Sequence, residues 1–328
     1  MKSTALYLLF ALLLVNCSQQ RQSLVGDAQI LFEIRPEVNY VTHLYTLAGL
    51  GFSDDEYIAK YGNTLPKAAV DTLRKYRDYL MFGQGEGGML SGTFYFMVSA
   101  ETFANADSLQ KIMDKYQEMA KSYNSPADIM NIANAIAKVY VDNYDEYLKD
   151  VYPQAKKDMK ERQNQLSQQM KEKSFVKDWE RVTGYQWHRG DYHWLLYCAG
   201  AKGPSYNNLN ENTNTVYYNQ PLNYQLAMFS HEFGIFLMQD SIDPIVKEMK
   251  EYIRSMKTEK DLTYVPWSAF ESLACWYNCK IAGKETEDYH NFGEADVKTF
   301  CQIYDRLSAK GINDPAELYR KGIMEYLK

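Results

Sequence analysis

The sequence predicts an α+β domain that is rich in helix and contains a small, mainly antiparallel sheet. Several long segments after residue 36 repeat apolar residues at helical spacing. Three short segments, residues 29–34, 192–198 and 215–218, are instead rich in aromatic and branched apolar residues, as strands are. Hydrophobic residues make up 46% of the chain and charged residues 24%, so the chain can bury a substantial core.

The first elements follow from local signals. Residues 29–34 are predicted to form a strand, and Pro36 to open a helix that runs to about Leu50. Ser53 and Glu56 have the spacing of a capping box, which predicts the start of a second helix. Pro66 is predicted to begin a third.

Helices are predicted over most of residues 108–180, and we interpret this segment as a scaffold. The following region, 185–285, has a different composition. A strand at 192–198 is followed by a loop rich in Gly and Asn at 200–214 and by a second strand at 215–218. A helix is expected over residues 222–239, and later helices are expected to begin at Pro244, Pro266 and Pro315.

The N-terminus has the pattern of a bacterial lipoprotein signal peptide. Lys2 supplies a short basic start, and residues 5–15 are uninterruptedly apolar. This run has the length of a signal-peptide core and is too short to span about 30 Å of hydrocarbon as a helix. It ends in Leu14-Val15-Asn16-Cys17, which resembles the lipobox at which bacterial lipoproteins are cleaved and acylated, although Asn16 stands where Gly, Ala or Ser is commoner. The alternative is an ordinary secretory signal followed by a chance cysteine.

Cleavage before Cys17 would divide the chain into a signal peptide (1–16), a lipidated tether (17–27) and a single domain (28–328). Lipid on Cys17 would anchor the protein to a membrane, because acyl chains contribute about 0.8 kcal/mol per buried CH₂ group. Ser18 rather than Asp after the cysteine favours the outer membrane. The predicted location is therefore the cell envelope.

Charge argues against one class of partner. The net charge is −6 for the full chain, and removal of Lys2 with the signal peptide makes it about −7. Proteins that bind nucleic acid concentrate positive charge, so we expect no nucleic-acid partner.

The chain also contains many aromatic residues, 14% in all, of which 28 are tyrosine. Tyrosines on a surface bind proteins or glycans, whereas tyrosines at helical spacing pack half-buried against neighbouring helices. The spacing favours packing for most of them.

Four cysteines would remain after processing: Cys198, Cys275, Cys279 and Cys301. Their spacing matches no small disulfide framework, and Cys275 and Cys279 stand one helical turn apart, a poor geometry for a bridge. We interpret them as small buried side chains. A Cys-x₃-Cys metal clip is the alternative, and disulfide pairing is left open.

The segment Phe229-Ser230-His231-Glu232-Phe233 is the most informative about function. Zinc peptidases of the zincin class carry H-E-x-x-H on a helix, where two histidines four residues apart bind one zinc ion and the glutamate activates the bound water. This sequence has the first half, His231-Glu232, but Ile235 stands at the position of the second histidine. A His-Glu pair alone is a weak signal, which its predicted helix and the preceding loop strengthen.

Glu271 lies further along the chain on another predicted helix. With Glu33-Ile34-Arg35-Pro36-Glu37-Val38 and the segment around His231, it makes the chain resemble a family of uncharacterised bacterial lipoproteins with a zincin-like peptidase region of the gluzincin type. The resemblance covers residues 28 to about 285. It implies a zincin-like fold, with His231 and Glu271 as zinc ligands and Glu232 as the general base.

Ile235 puts zinc binding in doubt. A catalytic zinc ion normally has three protein ligands and a water, and here only two are in place. Without a tightly held metal, water keeps a pKa near 15.7 instead of about 7. The alternatives for a further ligand are His193, which is favoured, His290, Gln239 and Asp240. Zinc is therefore expected to bind weakly or not at all.

Three functions are left open. The favoured one is an envelope-anchored lipoprotein whose degenerate peptidase-like cleft binds a peptide, a protein or a glycan. The second is an active zinc metallopeptidase with a non-standard ligand set. The third is a helical scaffold unrelated to peptidases. For the individual residues, the alternative to a zinc site is a partly buried His231 bonded to Glu271 or to a backbone carbonyl, and a Glu232 on the solvated helix surface. Separation of His231 and Glu271 by more than about 8 Å would favour the scaffold, because ligands share one zinc ion at about 2 Å each.

Overall fold

The computed structural model describes residues 29–50, 54–80, 114, 127–172, 174–200, 206–208, 212–256, 262–282 and 296–328. The predicted signal peptide, the tether with Cys17, and His290 lie outside these residues. The described chain forms two compact units. The first combines Ile30–Ser167 with His193–Gln220, and the second combines Gln168–Tyr192 with Pro221–Lys328.

A short strand and seven helices come first among the described elements: β1 (Ile30–Glu33), α1 (Pro36–Ala48), α2 (Asp55–Tyr61), α3 (Lys67–Lys75), α4 (Arg77–Leu80), α5 (Ala127–Asp150), α6 (Tyr152–Glu172) and α7 (Phe175–Thr183). Three strands and four helices follow: β2 (Tyr192–Tyr197), β3 (Tyr206–Asn208), β4 (Thr213–Tyr217), α8 (Leu222–Ser255), α9 (Val265–Ala282), α10 (Val297–Ala309) and α11 (Pro315–Tyr326). The predicted first strand, the helix from Pro36 and the strand after residue 191 are confirmed.

The sheet corrects the predicted fold class. Its strand order is β1-β2-β4-β3. β2 and β4 run parallel from the pair His193–Thr213 to the pair Tyr197–Tyr217, and only the short β3 is antiparallel to β4. The predicted α+β domain with a mainly antiparallel sheet is therefore wrong: the fold is helix-rich, and its main described strand pairing is parallel.

The cause of this error is the segment 200–214, which we predicted to be a loop. It contains β3 and the start of β4. The chain reverses direction before β3 and again before β4, so that β4 returns in the direction of β2. Two strands joined by a loop without a strand of its own would have been antiparallel.

The first unit is centred on α1, in which every residue after Pro36 is buried. One of its buried polar side chains, Asn39, has specific partners on β2 and just after it. The Asn39 amide donates to the backbone oxygen of Leu196 at 2.9 Å and accepts from the backbone N–H of Cys198 at 3.0 Å. These bonds fasten the helix to the end of β2, because a buried amide must find partners inside the protein.

Tyrosines complete this core. The Tyr40 ring lies 5.0 Å from the rings of both Tyr144 and Tyr147 on α5, measured between centroids. The Tyr40 hydroxyl donates to the backbone oxygen of Tyr140 at 2.7 Å. The expectation that tyrosines at helical spacing pack inside the protein is confirmed for this cluster.

The second unit is a set of packed helices in which α8 is the longest. α8 continues through Pro244, where we predicted a new helix to begin, so that prediction is wrong. A proline inside a helix removes one backbone hydrogen bond. The apolar side chains on either side of it, Ile242, Ile245 and Met249, are all buried, and their burial keeps the helix continuous.

Two helix starts test the capping signals. The side chain of Asp54 caps α2 by accepting from the backbone N–H of Tyr57, so the helix begins one residue later than the predicted capping box, whose Ser53 lies outside the described residues. Asp314 caps α11 by accepting from the N–H of Glu317, and the predicted start at Pro315 is confirmed. Within the described ranges, no helix is both long and apolar enough to cross a membrane.

Candidate functional site

The helices α8 and α9 carry the residues of the predicted site. The Asn278 amide donates to the backbone oxygen of Ala227 at 2.9 Å. His231, one turn further along α8, meets Glu271 and Cys275, which come earlier on α9 than Asn278. The two helices therefore run antiparallel.

His231 is held between two side chains of α9. Its Nε2 atom lies 3.1 Å from Oε2 of Glu271, and its Nδ1 atom lies 3.6 Å from Sγ of Cys275. Glu271 and Cys275 are four residues apart and so share one face of their helix. The imidazole consequently has a carboxylate at one nitrogen and a thiol at the other.

This cluster of His231, Glu271 and Cys275, which we call the α8–α9 triad, is largely buried. His231 is 3% exposed and Cys275 0%, while the Glu271 side chain is 23% exposed. Burial by itself would lower the pKa of His231, but the neighbouring Cys275 and Glu271 outweigh it and raise that pKa well above its usual 6.5. The protonated imidazole is thus the favoured form near neutral pH.

The triad does not supply the ligands of a catalytic zinc ion. A metal at Nε2 of His231 could also reach Glu271, but Cys275 lies at the opposite ring nitrogen. Ile235, one turn after His231, offers no donor atom. Two protein ligands fall short of the usual three. Across the residues that the structure describes, no group of three or more His, Cys, Asp or Glu side chains is placed to hold a metal.

Glu232 lies next to His231 in the chain and is half-buried. Its charge affects the pKa of two tyrosines of the same unit. Burial raises the pKa of Tyr192 and of Tyr224, and the charge of Glu232 raises both further. The carboxylate of Glu232 therefore lies within electrostatic range of both hydroxyls.

The residues considered as replacement ligands have other partners. His193, on β2, pairs through Nδ1 with the carboxylate of Glu33. The Gln239 amide donates to Asp243, and Asp240 forms an ion pair with Arg189. None of these contacts is with His231.

Sequence reasoning found His231 and Glu271, which the structure brings together, but it missed Cys275 as their neighbour. We had interpreted Cys275 as a small buried residue, and it is buried. The spacing of four residues between Glu271 and Cys275 was the available signal, because any side chain that packs against one of them on α9 can reach the other.

The large side chains that are exposed on these two helices include one on α9 and one near the start of α8. Trp267, one turn before Glu271 on α9, and Tyr224, near the start of α8, are each 46% exposed. Trp267 and Glu271 share a helix face because they are four residues apart. An aromatic ring and a partly exposed carboxylate are thus presented side by side.

Comparison of the chain with protein-family models, with curated proteins and with solved structures finds no match.

Proposed function

We propose that this protein is an envelope lipoprotein, anchored by lipid on Cys17, which binds a peptide, a protein or a glycan and does not hydrolyse it with zinc. One observation supports the second half of this proposal above all. Both ring nitrogens of His231 face side chains, Glu271 on one side and Cys275 on the other. A zinc peptidase needs a metal-bound water, and Glu232 alone cannot lower the pKa of water by the required amount.

The surface beside the triad supports a ligand that carries hydroxyl or amino groups. Trp267 offers a large exposed ring, and the partly exposed Glu271 accepts hydrogen bonds. Aromatic rings stack on sugar and peptide groups, and a carboxylate adds direction and specificity. Both glycans and peptides have this chemistry, so the ligand class is decided by experiment.

The metal content of the purified mature protein tests the absence of zinc catalysis. We expect far less than one zinc per chain after purification without a chelator. As a positive control, Ile235→His restores the residue four positions after His231, and we expect it to raise zinc affinity if the His231 and Glu271 side chains can converge on one ion. One tightly bound zinc per unmodified chain would refute the proposal.

Binding is tested with two libraries, one of glycans and one of peptides, screened on the same immobilised protein. We expect a ligand from one library to bind, and Trp267→Ala to weaken that binding by about tenfold or more, since buried aromatic anchors contribute about 2 kcal/mol or more. Tyr252→Ala is the matched control, because Tyr252 is a similarly exposed aromatic residue on the distant half of α8. Equal weakening by both variants would contradict the proposed surface.

A further inference from the structure

The order of groups in the α8–α9 triad is that of an activated nucleophile. A thiol lies against one nitrogen of an imidazole, and a carboxylate lies against the other. In enzymes with a nucleophilic cysteine or serine, a base beside the nucleophile takes its proton and a third group orients the base. His231 is placed to hold the Cys275 proton as an imidazolium beside the sulfur, and Glu271 to be the positioning residue.

Access decides which reagents can use this thiol. Cys275 is 0% exposed, so no peptide or glycan can reach its sulfur without a large opening of the helices. A small uncharged molecule such as hydrogen peroxide can penetrate where a polymer cannot. Peroxides react with thiolates far faster than with thiols, and the His231 ring, with Nδ1 3.6 Å from Sγ of Cys275, is placed to stabilise a thiolate there.

A second cysteine lies on the neighbouring helix. Cys301 on α10 places its Sγ atom 3.6 Å from the backbone oxygen of Ser272, which is one turn before Cys275 on α9. Burial raises the pKa of Cys301, and negative charge on Cys275 or Cys279 would raise it further, so these thiols lie within electrostatic range of one another. No disulfide joins the described cysteines.

We propose that Cys275 is a redox-active thiol that small peroxides oxidise and that Cys301 then resolves as a disulfide. This role is independent of the proposed ligand binding. It assigns a purpose to Cys275, the member of the α8–α9 triad that the zinc interpretation does not use.

The chemistry balances without any further reactant. The reactive form is an ion pair in which the proton of Cys275 already resides on His231, and the thiolate sulfur attacks one oxygen of hydrogen peroxide. The S–O bond forms as the O–O bond breaks, and the departing hydroxide takes the proton from His231 to become water. Sulfur loses two electrons, which reduce the peroxide. The Cys301 sulfur then attacks the sulfenic sulfur of Cys275, the S–O bond breaks as the S–S bond forms, and the Cys301 proton goes to the departing hydroxide, which leaves as a second water.

Cys198 provides a control inside the same molecule. It is buried like Cys275, but burial raises its pKa to about 12. Such a thiol carries almost no thiolate near neutral pH and should resist peroxide. The ratio of oxidation at Cys275 to oxidation at Cys198 therefore measures activation and cancels differences in the handling of the sample.

The experiment exposes the reduced full-length protein to hydrogen peroxide for short times and then unfolds it in denaturant that contains a 1,3-dione, which traps sulfenic acids, before peptide mass spectrometry. We expect Cys275 to be labelled at least about tenfold faster than Cys198, because a thiol without activation is only a few per cent ionised near pH 7. His231→Asn should lower labelling of Cys275 by about the same factor. A general loosening of the fold would instead raise labelling at both cysteines. Equal labelling of the two cysteines in the unmodified protein would overturn the proposal, and that result does not depend on any variant folding.

Without the trap, the resolving step is read from non-reducing peptide maps. We expect a disulfide between Cys275 and Cys301, and in Cys301→Ser we expect sulfenic acid to persist at Cys275. A disulfide that joins Cys275 to Cys279 instead, or continued oxidation of Cys275 with no disulfide, would overturn the assignment of Cys301.

Discussion

Among the individual residues, His231 is a buried imidazole that two neighbours keep protonated. Burial disfavours the protonated form of His231, but Cys275 and Glu271 favour that form strongly enough to raise the pKa of His231 well above 6.5. The folded state therefore holds a proton that the unfolded chain releases near pH 6.5. Its contribution to stability is fully present below that pH and is lost as the pH rises toward the folded pKa.

This linkage predicts how stability depends on pH. Replacement of His231 by Asn removes the titrating group, so the difference in free energy of unfolding between the native protein and His231→Asn should be largest near pH 6. It should fall above that pH by up to about 1.4 kcal/mol per pH unit. Urea unfolding at several pH values measures it. A difference that grows as the pH rises would contradict the raised pKa.

Glu33 shows the opposite linkage in the first unit. Burial would raise the pKa of its carboxyl, but hydrogen bonds from His193 and Arg35 overcome this and hold the pKa at about 2. The Arg35 Nε atom lies 2.7 Å from Oε2 of Glu33. Because the folded pKa is lowered, this stabilisation is present above the unfolded pKa near 4.5 and is lost as the pH falls toward 2.

We therefore expect Glu33→Gln to destabilise the protein by about 2 kcal/mol at neutral pH, the usual contribution of hydrogen bonds to a charged group. The difference should shrink as the pH is lowered from 4.5 toward 2, which thermal unfolding can follow. Asp71→Asn is the control, because Asp71 pairs with Lys67 on an exposed helix surface, and such pairs contribute little. If Glu33→Gln lowered the stability equally at every pH, the charge of the Glu33 carboxylate would not be the cause of its contribution to folding.

At the scale of elements, the contact between α7 and α8 depends on one glycine. The Trp179 ring on α7 occupies the position that a Cβ atom on Gly234 would take. The same indole donates through Nε1 to the Ser230 hydroxyl at 2.9 Å. Ser230 and Gly234 are one turn apart on α8, and together they form the surface against which the Trp179 ring packs.

Gly234→Ala tests the close packing of Trp179 against Gly234. In an open helix the change would stabilise by about 1 kcal/mol. Here the added methyl group meets the buried Trp179 ring, so we expect a loss of about 1–3 kcal/mol instead. Chemical denaturation measures whether the free energy of unfolding rises or falls. The loss should be smaller in a Trp179→Phe background, where the ring is smaller, and a stabilising effect in the unmodified background would contradict the close approach.

For the whole molecule, the sequence predicts that Cys17 determines where the protein works. We expect Cys17→Ala to block lipidation and to shift the protein from the membrane fraction to the soluble fraction of the envelope, because the acyl chains supply the anchoring free energy. Cell fractionation with an antibody to the folded domain measures the shift, with Cys198→Ala as a matched cysteine control. Retention of Cys17→Ala in the membrane fraction would contradict the anchor.

The sequence alone determined what depends on neighbours in the chain. Periodicity and capping residues were sufficient for the helix from Pro36 and for the start at Pro315, because local hydrogen bonds and one buried face decide them. The H-E-x-x-H pattern selected His231, and a glutamate on a later helix selected Glu271. The structure brings these two side chains to 3.1 Å.

Tertiary structure decided what depends on packing between distant segments. The direction of β4 relative to β2 depends on a three-residue strand in a segment whose composition indicates a loop. The helix continues past Pro244 because buried side chains on both sides offset one missing hydrogen bond. The spacing of four residues from Glu271 places Cys275 on the same face of α9, but only the packing of α9 against α8 brings its thiol to His231. Long-range contacts of this kind are decided by shape and burial, which local sequence does not encode.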